Sequence, residues 1–194
     1  MVRVIAGTAK GRRLEVPKGI RLRPTSDKVK ESLLNILRPH LENSVFLDLF
    51  SGCGGVGIEA LSAGAAQGIF VEQDPSHITI LKKNLEKCGL REGAHILRGD
   101  ALTLLRRKRI PPCDIAFADP PYDFSHLQDL LLLLYNNVKI RKFIILEHAR
   151  KKKFSPEIGR FVHRRTYTYG DTCLSVFEEG EIAVDPYRSL SRDF

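Results

Sequence analysis

Val45-Phe46-Leu47-Asp48-Leu49-Phe50-Ser51-Gly52-Cys53-Gly54-Gly55-Val56-Gly57 is an apolar strand that enters a glycine-rich turn and opens a helix. Glycines at 52, 54 and 57 let the backbone turn tightly and let a ligand approach it closely. The pattern alone suits a dinucleotide as well as any other adenosine-bearing cofactor. Its surroundings narrow the choice. Outward from it, apolar runs at 45–50, 68–72, 95–97, 115–118 and 143–147 read as strands, and 55–63, 75–88, 101–107 and 124–136 read as helices. Strands separated by helices pair in parallel through crossovers, which predicts an open α/β sheet with helices on both faces and a ligand site at the carboxyl ends of the strands.

Acids stand at three of those ends. Asp48 precedes the glycine turn, where a carboxylate would repel a pyrophosphate but would suit an ammonium and a sulfonium. Glu72 ends the second strand and can accept hydrogen bonds from two ribose hydroxyls, and Asp100 ends the third within reach of an adenine amino group. Asp100, just ahead of Ala101, equally fits a helix cap. Together the acids favour S-adenosyl-L-methionine over a nicotinamide dinucleotide. At the fourth strand end, Asp119-Pro120-Pro121-Tyr122 closes the run Ile115-Ala116-Phe117-Ala118. The Asp119 carboxylate and the Pro120 carbonyl, held outward by two prolines, can each accept one N–H of an exocyclic amine. Such an amine is a poor nucleophile until its lone pair is drawn out of the ring, and Tyr122 can stack on the base to hold it.

The chain has 194 residues and carries a net charge of +8. It is long enough for one domain with its own core. The basic charge sits at the flanks: residues 1–30 hold nine Lys or Arg against two acids, and residues 139–165 hold ten against two. Clusters beside a base-binding motif predict a polyanionic partner. Cys53, Cys88, Cys113 and Cys173 are scattered without metal-ligand spacing, so no metal is expected and reduced thiols are. No serine elbow accompanies the histidines, which excludes a Ser-His-Asp hydrolase. The start lacks a signal-peptide core and the run at 130–134 is too short to cross a bilayer, so a cytoplasmic protein without membrane contact is expected.

Before the sheet, residues 2–5 and 13–16 flank 6–11 as a small basic β-hairpin. A helix follows, with Val29, Leu33, Leu34 and Leu37 on one face, Ser26 as its cap and Pro39 as its stop. After the sheet, 161–169 and 172–178 read as an antiparallel pair joined at Gly170-Asp171.

Four segments resemble the RsmD family of bacterial methyltransferases: Arg3-Val4-Ile5-Ala6-Gly7 with Lys10-Gly11-Arg12; Arg23-Pro24-Thr25-Ser26-Asp27 with Val29, Glu31 and Asn35; Asp48 through Glu59-Ala60-Leu61-Ser62; and Asp119 to Tyr122. The last is shared with DNA amino-methylases. The resemblance implies a Rossmann-like, seven-stranded S-adenosylmethionine-dependent sheet. It also implies methylation of the N2 amine of a guanine in small-subunit (16S) ribosomal RNA. The expected cofactor residues are Asp48, Phe50, Ser51, Gly52, Gly54, Gly57, Glu72, Gln73, Asp100 and Ala101; the catalytic ones are Asp119, Pro120, Pro121 and Tyr122. Arg3, Lys10, Arg12, Arg13, Arg23 and Lys28 are expected on RNA phosphates, with ribosomal RNA or the small subunit particle as partner of a monomer. The expected organisation is a hairpin-and-helix extension over 1–38, a methyltransferase domain over 39–180 and a tail over 181–194. The alternatives are a DNA adenine-N6 or cytosine-N4 amino-methylase, disfavoured because no target-recognition domain fits in this length, and a non-catalytic RNA-binding assembly factor.

Overall fold

The computed structural model describes residues 2–17, 27–121 and 123–180. Ser26, Arg23, Tyr122 and the tail over 181–194 lie outside the described residues, and of Lys28 only the backbone is described.

An antiparallel pair, β1 (Val2–Arg3) and β2 (Arg13–Leu14), precedes α1 (Asp27–Leu41). Then come β3 (Val45–Leu49), α2 (Gly55–Ser62), β4 (Gln67–Glu72), α3 (Pro75–Cys88), β5 (Ala94–Arg98), α4 (Ala101–Arg106), β6 (Cys113–Ala118), α5 (Leu127–Asn137) and β7 (Ile140–Ala149). The chain closes with β8 (Glu157–Ile158), β9 (Phe161–Tyr169) and β10 (Thr172–Glu179). The sheet order is β5-β4-β3-β6-β7-β10-β9-β8, parallel from β5 to β7 and antiparallel thereafter. It is the expected seven-stranded sheet, with the two-residue β8 added at its edge.

Side-chain alternation sorts the strands into two cores. Phe46, Phe70 and Phe117 face α1, α2 and α3, while Leu47, Val71 and Ala118 face α4 and α5. Being covered on both faces, the parallel strands are apolar almost throughout.

Most boundaries fall within two residues of expectation, and four further points concern the hairpin, α1, β7 and α5. The paired hairpin strands are two residues long, because Gly11 N–H returns to Val4 O and Val4 N–H to Arg12 O, so the loop closes early. Helix α1 passes through Pro39 to Leu41, whose side chain is fully buried. Strand β7 is longer than its apolar run, its exposed Arg141 and Lys142 preceding the buried stretch. Helix α5 starts at Leu127 rather than 124, for a reason that belongs to the site. Among the described residues no helix is long and apolar enough to cross a membrane.

The amino-terminal segment packs on the same core: Val2, Val4 and Leu14 are buried with α1 and α2. Glu59 on α2 accepts from Ile5 N (2.9 Å) and faces Lys30 Nζ at 3.2 Å, while Lys30 Nζ donates to Arg3 O at 2.8 Å. One turn on, Ser62 Oγ accepts from Ala9 N and donates to Ala6 O, and Ser62 O accepts from Thr8 N. Gly7 (φ 77°) is required there, since a Cβ would overlap the Ser62 carbonyl.

Candidate active site at the carboxyl ends of the parallel strands

Phe50 leaves β3 with φ 73° and starts the glycine turn. Ser51 fastens it: its N–H and its hydroxyl both donate to Val71 O at 2.9 Å, and the hydroxyl also reaches Asp48 O. The glycines have distinct tasks. A Cβ on Gly57 would overlap the Phe70 ring and lie 2.9 Å from Asp48 Oδ2, and one on Gly54 would collide with Leu81, so both let α2 and α3 approach the sheet. Only Gly52 (φ 54°), of these three, has open space where a Cβ would stand, so the turn presents bare backbone there.

Asp48 is 2% exposed, and its Oδ2 accepts from Gly57 N at 2.8 Å. Burial pushes its carboxyl up to about 7 against the pull of that N–H, with the charges of Asp119 and Glu72 adding to the rise. Glu72 at the tip of β4 is clasped by backbone: Oε2 accepts from Gly52 N, and Oε1 from Gln73 N and Asp74 N, all at 2.8 Å. Asp100 is the cap of α4, its Oδ2 accepting from Thr103 N at 2.8 Å, and it is exposed ahead of buried Ala101. Asp119 follows β6, its N–H reaching Leu49 O at 3.4 Å. Burial and then the charge of Glu147 hold its carboxyl well above the usual range. Asp48, Glu72 and Asp119 thus come together, whereas Asp100 stands at the margin as a cap. With Pro120, Pro121, Phe124, Glu147 and Lys152, Asp119 lines a single pocket.

A family model described as conserved hypothetical protein 95 matches residues 2–178. The Haemophilus influenzae ribosomal RNA small subunit methyltransferase D is 37% identical over 171 residues, 85% of this chain and 88% of that one. The Escherichia coli protein of that name is 39% identical over 137 residues, 70% and 68%. The chain belongs to the RsmD family. That family is one of S-adenosylmethionine-dependent ribosomal RNA methyltransferases. The solved structure of Escherichia coli yhhF superposes with a TM-score of 0.82 at 30% identity, covering 92% of this chain and 98% of that one. A Salinibacter ruber RNA methyltransferase in complex with S-adenosyl-L-homocysteine shares the fold, with a TM-score of 0.61 at 20% identity over 81% and 94%.

Of the basic residues singled out at the amino terminus of this RsmD-family chain, Arg3, Lys10, Arg12 and Arg13 are exposed. Three further residues bear on the site without a motif to announce them. Glu147, 5% exposed near the end of β7, closes an otherwise apolar run, which was the only sign in the sequence. Lys152 donates to Phe124 O at 2.9 Å, and Phe124 N–H donates to Pro121 O at 2.8 Å. These bonds keep 124 out of the helix and set its ring edge-on to Phe50, 6.0 Å away. Asn84 on α3 is fully buried and ties two distant segments: Nδ2 donates to Glu15 O and Cys53 O, each at 3.0 Å, and Oδ1 accepts from Glu15 N at 2.8 Å.

Proposed function

We propose that the chain transfers the methyl group of S-adenosyl-L-methionine to the exocyclic N2 amine of a guanine in 16S ribosomal RNA, acting as a cytoplasmic monomer on the RNA or the small subunit particle. The observation that carries this reading is the convergence of Asp48, Glu72 and Asp119 on neighbouring strand tips beside the open backbone of Gly52. The donor set fits a cationic cofactor. A buried carboxyl held near 7 gains most from a nearby ammonium or sulfonium. Glu72 Oε2 accepts a single backbone N–H and so keeps a lone pair for a ribose hydroxyl. Phe50, Ser51, Gly54 and Gly57 shape the turn, with Gln73, Asp100 and Ala101 on the adenine side.

When bound, the cofactor supplies an electrophilic methyl on sulfur. The protein's task is to aim the amine and exclude competing geometry. Asp119 and the Pro120 carbonyl accept the two N–H bonds of the amine, turning its lone pair outward; Pro121 stiffens the ledge and Tyr122 stacks on the ring. The proton lost after transfer passes to water. Arg3, Lys10, Arg12 and Arg13, joined by Arg23 and Lys28, hold phosphates while the target base is unstacked into the site.

Incubation with radiolabelled cofactor and undermethylated small subunit particles, followed by mapping of the label, tests the reading. One labelled guanine N2 is expected, with turnover by Asp119→Ala reduced at least about 100-fold. Label on duplex DNA, or none on RNA, overturns it.

A further inference from the structure

The register of β6 and β7 pairs Ala118 with Leu146, so the residues that follow, Asp119 and Glu147, come side by side at the strand tips. Both line the same pocket with Pro120. Burial and the Glu147 charge together lift the Asp119 carboxyl, which agrees with two acids in close proximity. Two hydrogen-bond acceptors suffice to hold any exocyclic amine. A third, anionic acceptor beside them is a chemical statement about the atom next to that amine.

Guanine presents N1–H beside its N2 amine, a continuous edge of three donors. Adenine places the lone pair of N1, and cytosine that of N3, next to the amine. A carboxylate facing that position attracts guanine and repels the other two. We propose that Glu147 accepts the N1–H of the target guanine and is the residue that selects guanine over other amine-bearing bases. The inference rests on the function proposed above and deepens it: Asp119 and Pro120 activate the amine, and Glu147 identifies the ring that carries it.

The test uses the full chain and two acceptor RNAs that differ only at the mapped target. One holds guanine, the other 2-aminopurine, which keeps the 2-amine but has a lone pair in place of N1–H. The wild-type enzyme is expected to prefer guanine about ten- to a hundred-fold in kcat/KM, the usual worth of a well-placed base-edge contact. In Glu147→Gln the carboxamide can accept from N1–H or donate to a bare N1, so the preference should shrink to a few-fold, with cofactor Kd unchanged. A merely structural Glu147 would lower both substrates by the same factor and leave their ratio intact, which overturns the proposal. So does a wild-type ratio near one, which needs no variant at all. Failure of wild type to methylate guanine fails the underlying function as well, and is thereby distinguishable from failure of the selector alone.

Discussion

At the scale of single residues, Asp48 combines structure and reactivity. Its carboxyl titrates near 7, above the usual 3.8, because burial outweighs the Gly57 N–H that favours the anion. An acid raised on folding holds its proton longer in the native state, so its contribution to stability is present at low pH and is lost as pH climbs from about 4 to about 7. On the function proposed above, a cofactor ammonium beside Asp48 reverses the preference, since only the anion can pair with it. Cofactor affinity should therefore strengthen as pH rises from 6 to 8, by up to about ten-fold per unit below 7, with proton release on binding. Titration calorimetry in buffers of different ionisation enthalpy measures both, and Asp48→Asn should flatten the profile. Gly57→Ala is a second case. Helix propensity favours alanine, but its methyl would press on the Phe70 ring and on Asp48, so a loss of about 1–3 kcal/mol is expected from thermal unfolding. The acids and the glycines were legible in the sequence because strand ends and turns announce themselves. Their division of labour was not: only packing shows that Gly57 serves the sheet and Gly52 the open surface. Glu147 was hidden for the same reason, as its neighbour Asp119 lies 28 positions away and meets it only through strand register.

At the scale of elements, the glycine turn, the alternating helices and the closing hairpin could be read from apolar period and breakers. The misreadings have physical causes. Pro39 stands in the last turn of α1, where burial of Leu41 holds the helix on. Residues 124–126 look helical in isolation, but a tertiary hydrogen bond from Lys152 and a local turn bond to Pro121 claim Phe124 for the loop. Lys152→Met removes the donor and keeps much of the volume. It should loosen the loop that follows Asp119-Pro120 and lower kcat several-fold while leaving cofactor Kd in place, as single-turnover kinetics can resolve. The seam between hairpin, α1 and α2 depends on a buried ion pair: Lys30 is 2% and Glu59 1% exposed. Removing one partner of such a pair typically costs about 3–5 kcal/mol. Glu59→Ala, which also strips Ile5 N of its acceptor, should accordingly lower the unfolding temperature by roughly 6–20 °C for a chain of this size. Glu59→Gln, which retains the acceptor, should cost less.

For the whole molecule, the charge asymmetry makes a prediction independent of the chemistry. The net charge is +8 and the hairpin's basic side chains Arg3, Lys10, Arg12 and Arg13 are exposed, so RNA affinity should fall steeply with added salt. Replacing Arg12 and Arg13 together with Gln should weaken binding across sequences and reduce the slope of log K against log salt by about 1.5–2. Fluorescence anisotropy between 50 and 200 mM salt provides the measurement.

Asn84 gives the last of these features a mechanical meaning. One amide, sealed inside the protein, grips the strap that leaves the hairpin and the loop that rims the cofactor cleft. The proposed phosphate-holding surface and the proposed reaction centre are thereby tied through a single buried side chain. On the function proposed above, such a tie predicts a fixed gauge: an acceptor is modified when its target base stands at one set distance from its anchored backbone, and the flexing needed to reach that distance falls to the RNA.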